Sequence, residues 1–285
     1  MLTASEENYI LTYANIPEHL VGLMTSLSSG EPFLIEDCLC LHREDWLILV
    51  GYPIRNEFLI DAFENLVAEI QKRFQPRRLS LVAPSLPRSM HHTCRERESD
   101  YYYTLDIPVL VLKNSVKRNI KKAQQLLRVE RSPRMEAAHQ SLMQEFVHRI
   151  DPPARVRELL SKMLDYVGQS TQAMALNTWD KNNNLVAFYI IDLAARNFTN
   201  YIIGGYSKKY YVRGASDLLL FELIKISEEH DKSYIHLGLG INDGIRKFKE
   251  KWGGRPTRSY EMCEIILSKP SVLETILTVV KSRSF

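Results

Sequence analysis

Much that would identify a function at once is missing from this sequence. Cysteine is scarce, with Cys38, Cys40, Cys94 and Cys263 the only four in 285 residues, and no two form a C-x-x-C pair. Cys38 and Cys40 stand two apart in a strand-like run, so they share a face and read as packing residues. His91, His92 and Cys94 have no fourth ligand at a sensible spacing, so no metal is expected. The start, MLTASEENYILTYA, lacks the basic and apolar regions of a signal peptide. No apolar run approaches the ~18–20 residues needed to span a bilayer. These absences together predict a cytoplasmic protein with reduced thiols and no transmembrane segment. A strong charge of one sign is also missing. The net charge of +3 is too small to argue for nucleic acid from the whole chain, so any basic partner surface must be local.

What is present is an ordinary globular composition, 45% hydrophobic and 25% charged, in a length suited to one large domain or two of usual size. The spacing predicts a helix over 16–27 and a hairpin from strands at 32–41 and 46–50. A helix over 56–74 follows, with Asn56 as its N-cap and an apolar stripe of Leu59, Phe63, Leu66, Val67, Ile70 and Phe74. Next come a buried strand at 79–83, a loop over 85–99, and a strand pair or bent strand over 100–112.

The second half continues with a basic helical stretch at 113–128 and helices at 135–150 and 154–167. Strands follow at 172–179, 185–193 and 198–206, then a helix over 215–230, a strand at 234–239, a basic helix, a strand at 259–267 and a last helix at 272–281. In both halves antiparallel strands lead to a long helix and then a buried strand. That shared order suggests an internal duplication, with units 1–112 and 113–285.

The halves differ in the link before the helix. The first reads Gly51-Tyr52-Pro53-Ile54-Arg55, short and stiffened by proline. The second reads Tyr211-Val212-Arg213-Gly214-Ala215-Ser216, small residues running straight into a helix start. Such a start offers unpaired N–H groups and the positive end of a dipole, which suits a phosphate. An ordinary turn with Ser216 as N-cap explains the same residues.

The run RGASDLLLFELIKISEEHDKSYIHLGLGINDGIRKFKEKWGG resembles the C-terminal signature of the FemAB-like and related BioF2-like branch of GNAT acyltransferases. Phe248-Lys249 and Trp252-Gly253 match that signature's FK…WG ending. The stretch from Ser115 to Ala123 is similar to the branch's S-x-R-x-N-I-x-K-A helix. The resemblance covers roughly residues 110–265. It implies an α+β fold of two GNAT-like domains, each a mostly antiparallel sheet flanked by helices, with the second active. It also implies transfer of an acyl or aminoacyl group, from acyl-CoA or aminoacyl-tRNA as co-substrate, to an amine acceptor, with no tightly bound cofactor.

Several residues are candidates for the chemistry. Asp192 lies in an otherwise apolar strand, where burial would raise its pKa towards that of a base. A strand-end residue facing solvent is the plainer reading. Tyr206 flanks the loop and could protonate a leaving group or pack at its rim. His236 stands where many relatives carry an acid, as a base or as a buried hydrogen-bonded histidine. Tyr211, Val212, Arg213, Gly214, Ala215 and Ser216 form the expected cofactor loop. Arg246 and Lys249, three apart on one helix, could hold a phosphate or carboxylate of a substrate. Helix 113–128, with Lys113, Lys117, Arg118, Lys121, Lys122 and Arg128, could meet tRNA phosphates or anionic lipid headgroups, or could be a solvated face. The competing reading of the whole chain is a catalytically silent GNAT scaffold that binds an anionic ligand, nucleic acid or lipid headgroup.

Overall fold

The structure, a computed structural model, describes residues 2–267. Helix α1 (Ala4–Tyr13) opens the chain. It is started by a capping box in which Thr3 Oγ1 accepts from the Glu6 N–H and the Glu6 carboxylate accepts from the Thr3 N–H. The helix expected over 16–27 begins instead as a short helical turn at Pro17–His19 and continues as α2 (Val21–Ser28). Strands β1 (Glu31–Ile35), β2 (Cys38–Arg43) and β3 (Trp46–Val50) form a meander. The single strand expected at 32–41 is thus two strands, because Glu36 and Asp37 adopt φ of 44° and 65° and reverse the chain.

Helix α3 (Ile60–Phe74) starts later than expected, and Asn56 is not its N-cap. The N–H groups of Arg55 and Asn56 are held at 3.0 and 2.9 Å by the Asp37 carboxylate, which keeps this link extended. Strands β4 (Arg78–Ala83) and β5 (Glu96–Asp106) complete the first half.

The second half runs through α4 (Asn114–Gln124), β6 (Arg128–Ser132), α5 (Ala137–Ile150), α6 (Ala154–Gln169), β7 (Ala173–Trp179), β8 (Leu185–Asp192) and β9 (Phe198–Tyr206). It closes with α7 (Ala215–Glu229), β10 (Tyr234–Leu239), α8 (Asp243–Lys251) and β11 (Arg255–Ile266). The helix expected at 272–281 lies outside the described residues.

All eleven strands among the described residues join in one sheet, ordered β1-β2-β3-β4-β11-β5-β10-β9-β8-β7-β6. Two of its pairs are parallel, β3·β4 and β10·β9, and each is bridged by the helix between them, α3 or α7. The sheet therefore contains two parallel strand–helix–strand units of the same order, one in each half of the sequence. The last strand of each half pairs with the other half's unit: β11 lies against β4, and β5 against β10. Sequence units of 1–112 and 113–285 thus each lend a strand to the other.

Helices cover both faces. On one face α3 packs over Leu47, Leu49, Leu79 and Leu81, while α4 and α7 pack over Ala187, Tyr189, Ile235 and Leu237. On the other, residues of α1 and α2 cover Leu39, Leu41, Val50 and Tyr102, and α5 and α6 cover Phe188, Ile190 and Phe198. Cys38 and Cys40 are buried in the α3 core. Cys94 and Cys263 are joined by a disulfide, against the expectation of reduced thiols throughout. The β5·β11 register carries the loop before β5 across β11 and brings these two Cα atoms to 5.3 Å. Among the described residues no helix is long and apolar enough to cross a membrane.

Candidate functional site

The site is built where β9 and β10 part. The two strands pair at only three positions, Phe198–Tyr234, Thr199–Ile235 and Asn200–His236, although β9 continues to Tyr206 and β10 to Leu239. Beyond that point the facing backbone edges have lost each other as partners, so polar groups must be satisfied elsewhere or by a ligand. Gly238 takes φ of 72° here, and the β10·β5 register slips between His236 and Leu239. The bulge turns β10 away from β9.

Polar residues collect at the parting. Asp192, Asn200 and His236 are successive cross-strand neighbours on β8, β9 and β10. They therefore form one row, and its ends lie two strand spacings, about 10 Å, apart. Asn200 is 1% exposed and His236 is fully buried. Both side-chain atoms of Asn200, and Nε2 of His236, have no partner among the described residues. The His236 Nδ1 accepts from the Gly238 N–H at 3.2 Å, so in the neutral ring Nε2 carries the proton and is an unmet donor. Burial, with Lys249 and Arg258 adding to it, pushes the His236 pKa down to about 3. This histidine stays neutral near pH 7 and is packed by the rings of Tyr102 and Phe198.

Asp192 is also buried, and its pKa is raised by that burial against the opposing hydrogen bond from Tyr166. Its oxygens are already engaged. One accepts from the Tyr166 hydroxyl, and the other from the Ala194 N–H at 2.7 Å. The nearby Lys232 ammonium is held by the carbonyls of Leu193 and Ala195.

Lys249 approaches the parting from the α8 side. It is only 5% exposed, and its Nζ donates to the Leu239 carbonyl at 2.5 Å, three residues past the last β9·β10 pair. Its ammonium lies 5.4 Å from the Tyr103 ring centroid. Burial lowers its pKa to about 7, with Asp100 pulling weakly the other way. Arg246, expected to share its face, turns outward and pairs with Asp243 at 2.7 Å. Asn242 caps α8 as its sequence suggests, accepting from the Ile245 N–H at 3.0 Å.

The loop before α7 is held by a different set of contacts. Gly214, not Ser216, is the N-cap, with φ of 90°. A Cβ on Gly214 would stand 2.7 Å from the Asn119 carbonyl oxygen of α4, so α4 lies directly against the helix start. Asp217, in the first turn and 4% exposed, accepts from Asn119 Nδ2 at 2.9 Å, Trp252 Nε1 at 2.9 Å and Lys251 Nζ at 2.5 Å. A carboxylate of the chain itself therefore stands at the positive end of the α7 dipole. Ala215 is buried, the Ser216 carbonyl accepts from the Tyr189 hydroxyl at 3.0 Å, and Val212 packs on the core, while Tyr211 and Arg213 face solvent. Tyr206, at the end of β9, meets the Tyr211 ring at 5.9 Å and the Arg149 guanidinium at 4.9 Å.

The structure thus joins Asp192 and His236 in one row and sets Lys249 beside the same parting. Tyr206 and Tyr211 form a separate rim, and Arg246 is directed away. Sequence reasoning missed Asn200, whose polar side chain in a strand of aromatic and aliphatic neighbours was the available signal. It also missed Asp217, the point where the two motifs of the family resemblance meet: Asn119 comes from one, Lys251 and Trp252 from the other.

No family model matches the sequence, and no curated protein matches it. Similar solved structures cover almost the whole chain. FemX is 11% identical with a TM-score of 0.62, and the alignment covers 98% of each chain. L-PGS from Bacillus licheniformis is 15% identical with a TM-score of 0.56, covering 99% of this chain and 98% of its own. A tandem GNAT protein from the clavulanic acid biosynthesis pathway is 8% identical with a TM-score of 0.53, covering 93% and 95%. At these identities the likeness is one of fold, and the fold is GNAT-like.

Proposed function

We propose that this GNAT-like chain is a transferase that moves an acyl or aminoacyl group from a carrier to an amine, with the reaction centred on Lys249 where β9 and β10 part. The observation that carries the reading is a lysine 5% exposed, with its pKa brought down to about 7, at the only parallel pair that opens among the described residues. A lysine half neutral near pH 7 is suited to general base work. As the attacking amine forms its bond to the carrier's carbonyl carbon, it must shed a proton. The neutral Nζ accepts that proton and returns it to the carrier oxygen or sulfur as the bond to the carrier breaks.

Asn200 and His236 supply the unmet polar atoms that would hold the transferred group, with the Nδ2 and Nε2 hydrogens as donors to its carbonyl. Asp192 serves to fasten β8 to α6 through Tyr166 rather than to exchange protons. Of the two carriers, aminoacyl-tRNA is favoured over acyl-CoA. The α7 start, where a CoA pyrophosphate would be sought, carries Asp217 and lies against Asn119. The cofactor role of Tyr211–Ser216 is correspondingly weakened, and Arg246 is left to stabilise the start of α8.

The test offers the protein charged tRNA labelled in the amino acid and, separately, labelled acetyl-CoA, each with a panel of amine acceptors. Transfer of label that is lost in a folded Lys249→Met variant is the expected result. Absence of transfer from both donors, or transfer unaffected by Lys249→Met, overturns the reading.

A further inference from the structure

The loop between β5 and α4 shows an arrangement that folding alone does not explain. Leu110 is 88% exposed and Val111 83%, the two most exposed large hydrophobic side chains among the described residues. They are not on a slack segment. Ile107, Val109 and Leu112 on either side pack into the core beneath α4 and α7, and the Ile107 N–H donates to the Ser233 carbonyl at 2.9 Å. The loop is anchored at both ends, and its two aliphatic tips are held out in water, at a cost that burial elsewhere would remove.

Directly after them the charge changes. From residue 107 to residue 129 the chain has no carboxylate, while Lys113, Lys117, Arg118, Lys121, Lys122 and Arg128 are all basic. Helix α4 buries Val116, Ile120 and Ala123. At about 100° per residue, its four cations Lys117, Arg118, Lys121 and Lys122 fall within an arc of about 140° on the opposite side. All four, with Lys113, are exposed, and none takes part in an ion pair among the described residues. Leu126, 60% exposed, adds an aliphatic side chain at the far end of the helix.

We propose that the 107–113 loop and the outer face of α4 form a docking surface for an anionic lipid bilayer, with Leu110 and Val111 entering the headgroup–acyl boundary and the α4 cations lying against the headgroups. Charge complementarity names an anionic partner, and the aliphatic pair selects between anionic partners. A nucleic acid would be served by exposed aromatic rings for base stacking, and residues 107–128 hold none. A lipid interface rewards projecting aliphatics beside lysines. Each cation near an anionic leaflet contributes about fivefold in partitioning. Four weak charge contacts and two shallow insertions give reversible attachment, the regime of a peripheral protein.

The surface lies apart from the transfer site. The loop leaves β5 beside the start of β10, at Ser233 and Tyr234, whereas Lys249 reaches the end of β10 at Leu239. The attachment surface therefore does not depend on the transferase reading, and it lies at the end of β10 opposite Lys249.

Co-sedimentation of the full chain with phosphatidylcholine vesicles, with and without phosphatidylserine, tests it across a salt series. Binding is expected only with the anionic lipid. Leu110→Ser/Val111→Ser, which leaves every charge in place, should weaken it about tenfold at fixed salt, and Lys117→Glu/Lys121→Glu should abolish it. Circular dichroism and melting temperature confirm that both variants fold. No binding to the anionic vesicles overturns the proposal. So does vesicle binding that the serine variant leaves unchanged, since that would be charge attraction alone. So does filter binding of a tRNA pool that is tighter than vesicle binding and indifferent to Leu110 and Val111.

Discussion

The two parallel units of the sheet share an order and differ in whether they stay closed. In the first, Trp46–Val50 pairs with Arg78–Val82 at all five positions, and the Gly51 N–H extends the zip by donating to the Val82 carbonyl at 2.7 Å. Phe63 of α3 lies so close over Gly51 that a Cβ there would meet its ring at 2.2 Å. In the second, pairing stops after three residues, at Asn200 and His236. The closed unit is lined by Leu47, Leu49, Leu79 and Leu81. The open one gathers a row of Asp192, Asn200 and His236, the last two with unmet polar atoms, and sets the buried Lys249 beside it. The same topology thus serves as packing in one unit and gathers a row of buried polar side chains in the other. What separates them is a bulge at Gly238 and the chemistry of a few side chains.

The largest effects are expected at Lys249. Lys249→Met should lower kcat/KM for transfer by about 10²–10⁴-fold, the usual contribution of a general base. The same change should raise stability at pH 7 by about 1–3 kcal/mol, because it removes a buried charge without a carboxylate partner. Lys249→Arg should be inactive as well, since a guanidinium does not lose its proton near neutrality. The sign of the pH dependence follows from the lowered pKa. Between about 7 and the ordinary value of 10.5 the unfolded chain binds the Lys249 proton and the folded chain does not. Over that window wild-type stability should therefore gain on Lys249→Met as pH rises, measured by urea unfolding at a series of pH values. Transfer itself should rise through pH 7 and level off above it. His236, held neutral, adds nothing to that profile.

Exchanging the lining of the two units comes next in size. Leu49→Asn places an unpartnered amide in the closed unit and should cost about 3 kcal/mol of unfolding free energy. The reciprocal change, Asn200→Leu, removes an unmet amide from the open unit. It should leave stability equal or higher by about 1 kcal/mol while lowering kcat/KM. Equal losses of stability in both variants would mean that Asn200 has a structural partner and that the comparison is wrong.

The smallest effects are at two glycines. Gly51→Ala should cost about 1–3 kcal/mol by forcing Phe63 off its site. Gly214→Ala should cost a similar amount, about 1–3 kcal/mol, because φ is 90° there and the Asn119 backbone cannot move aside. Thermal unfolding checks both.

Much of this architecture was legible in the sequence. The second half's helices and strands stand close to where period and turn residues put them, because Leu185–Asp192 and Ala215–Glu229 carry unbroken apolar signals. Helix α1 was overlooked although Thr3 and Glu6 spell its capping box, since its apolar stripe is weak. Strand β6, RVERS, hid in a basic stretch because it is a half-buried edge. The exchange of β5 and β11 has no local signal at all, as nothing in a strand's own residues names its distant partner. At the candidate site the resemblance pointed to α8. The basic residues of α8 look alike in sequence, however, and only packing distinguishes the buried Lys249 from Arg246 and its partner Asp243. Asn119 and Trp252 belong to quoted motifs, but their convergence on Asp217 depends on two helices meeting in space.

The central claim is that the opened unit keeps a lysine poised to lose its proton near neutrality. The most direct test is a carbon-13 NMR titration of lysine Cε resonances, with the Lys249 signal assigned by its absence in Lys249→Met. The account predicts a midpoint near pH 7 for that one resonance, while the exposed lysines titrate near their ordinary value. A Lys249 midpoint above pH 10 would contradict it.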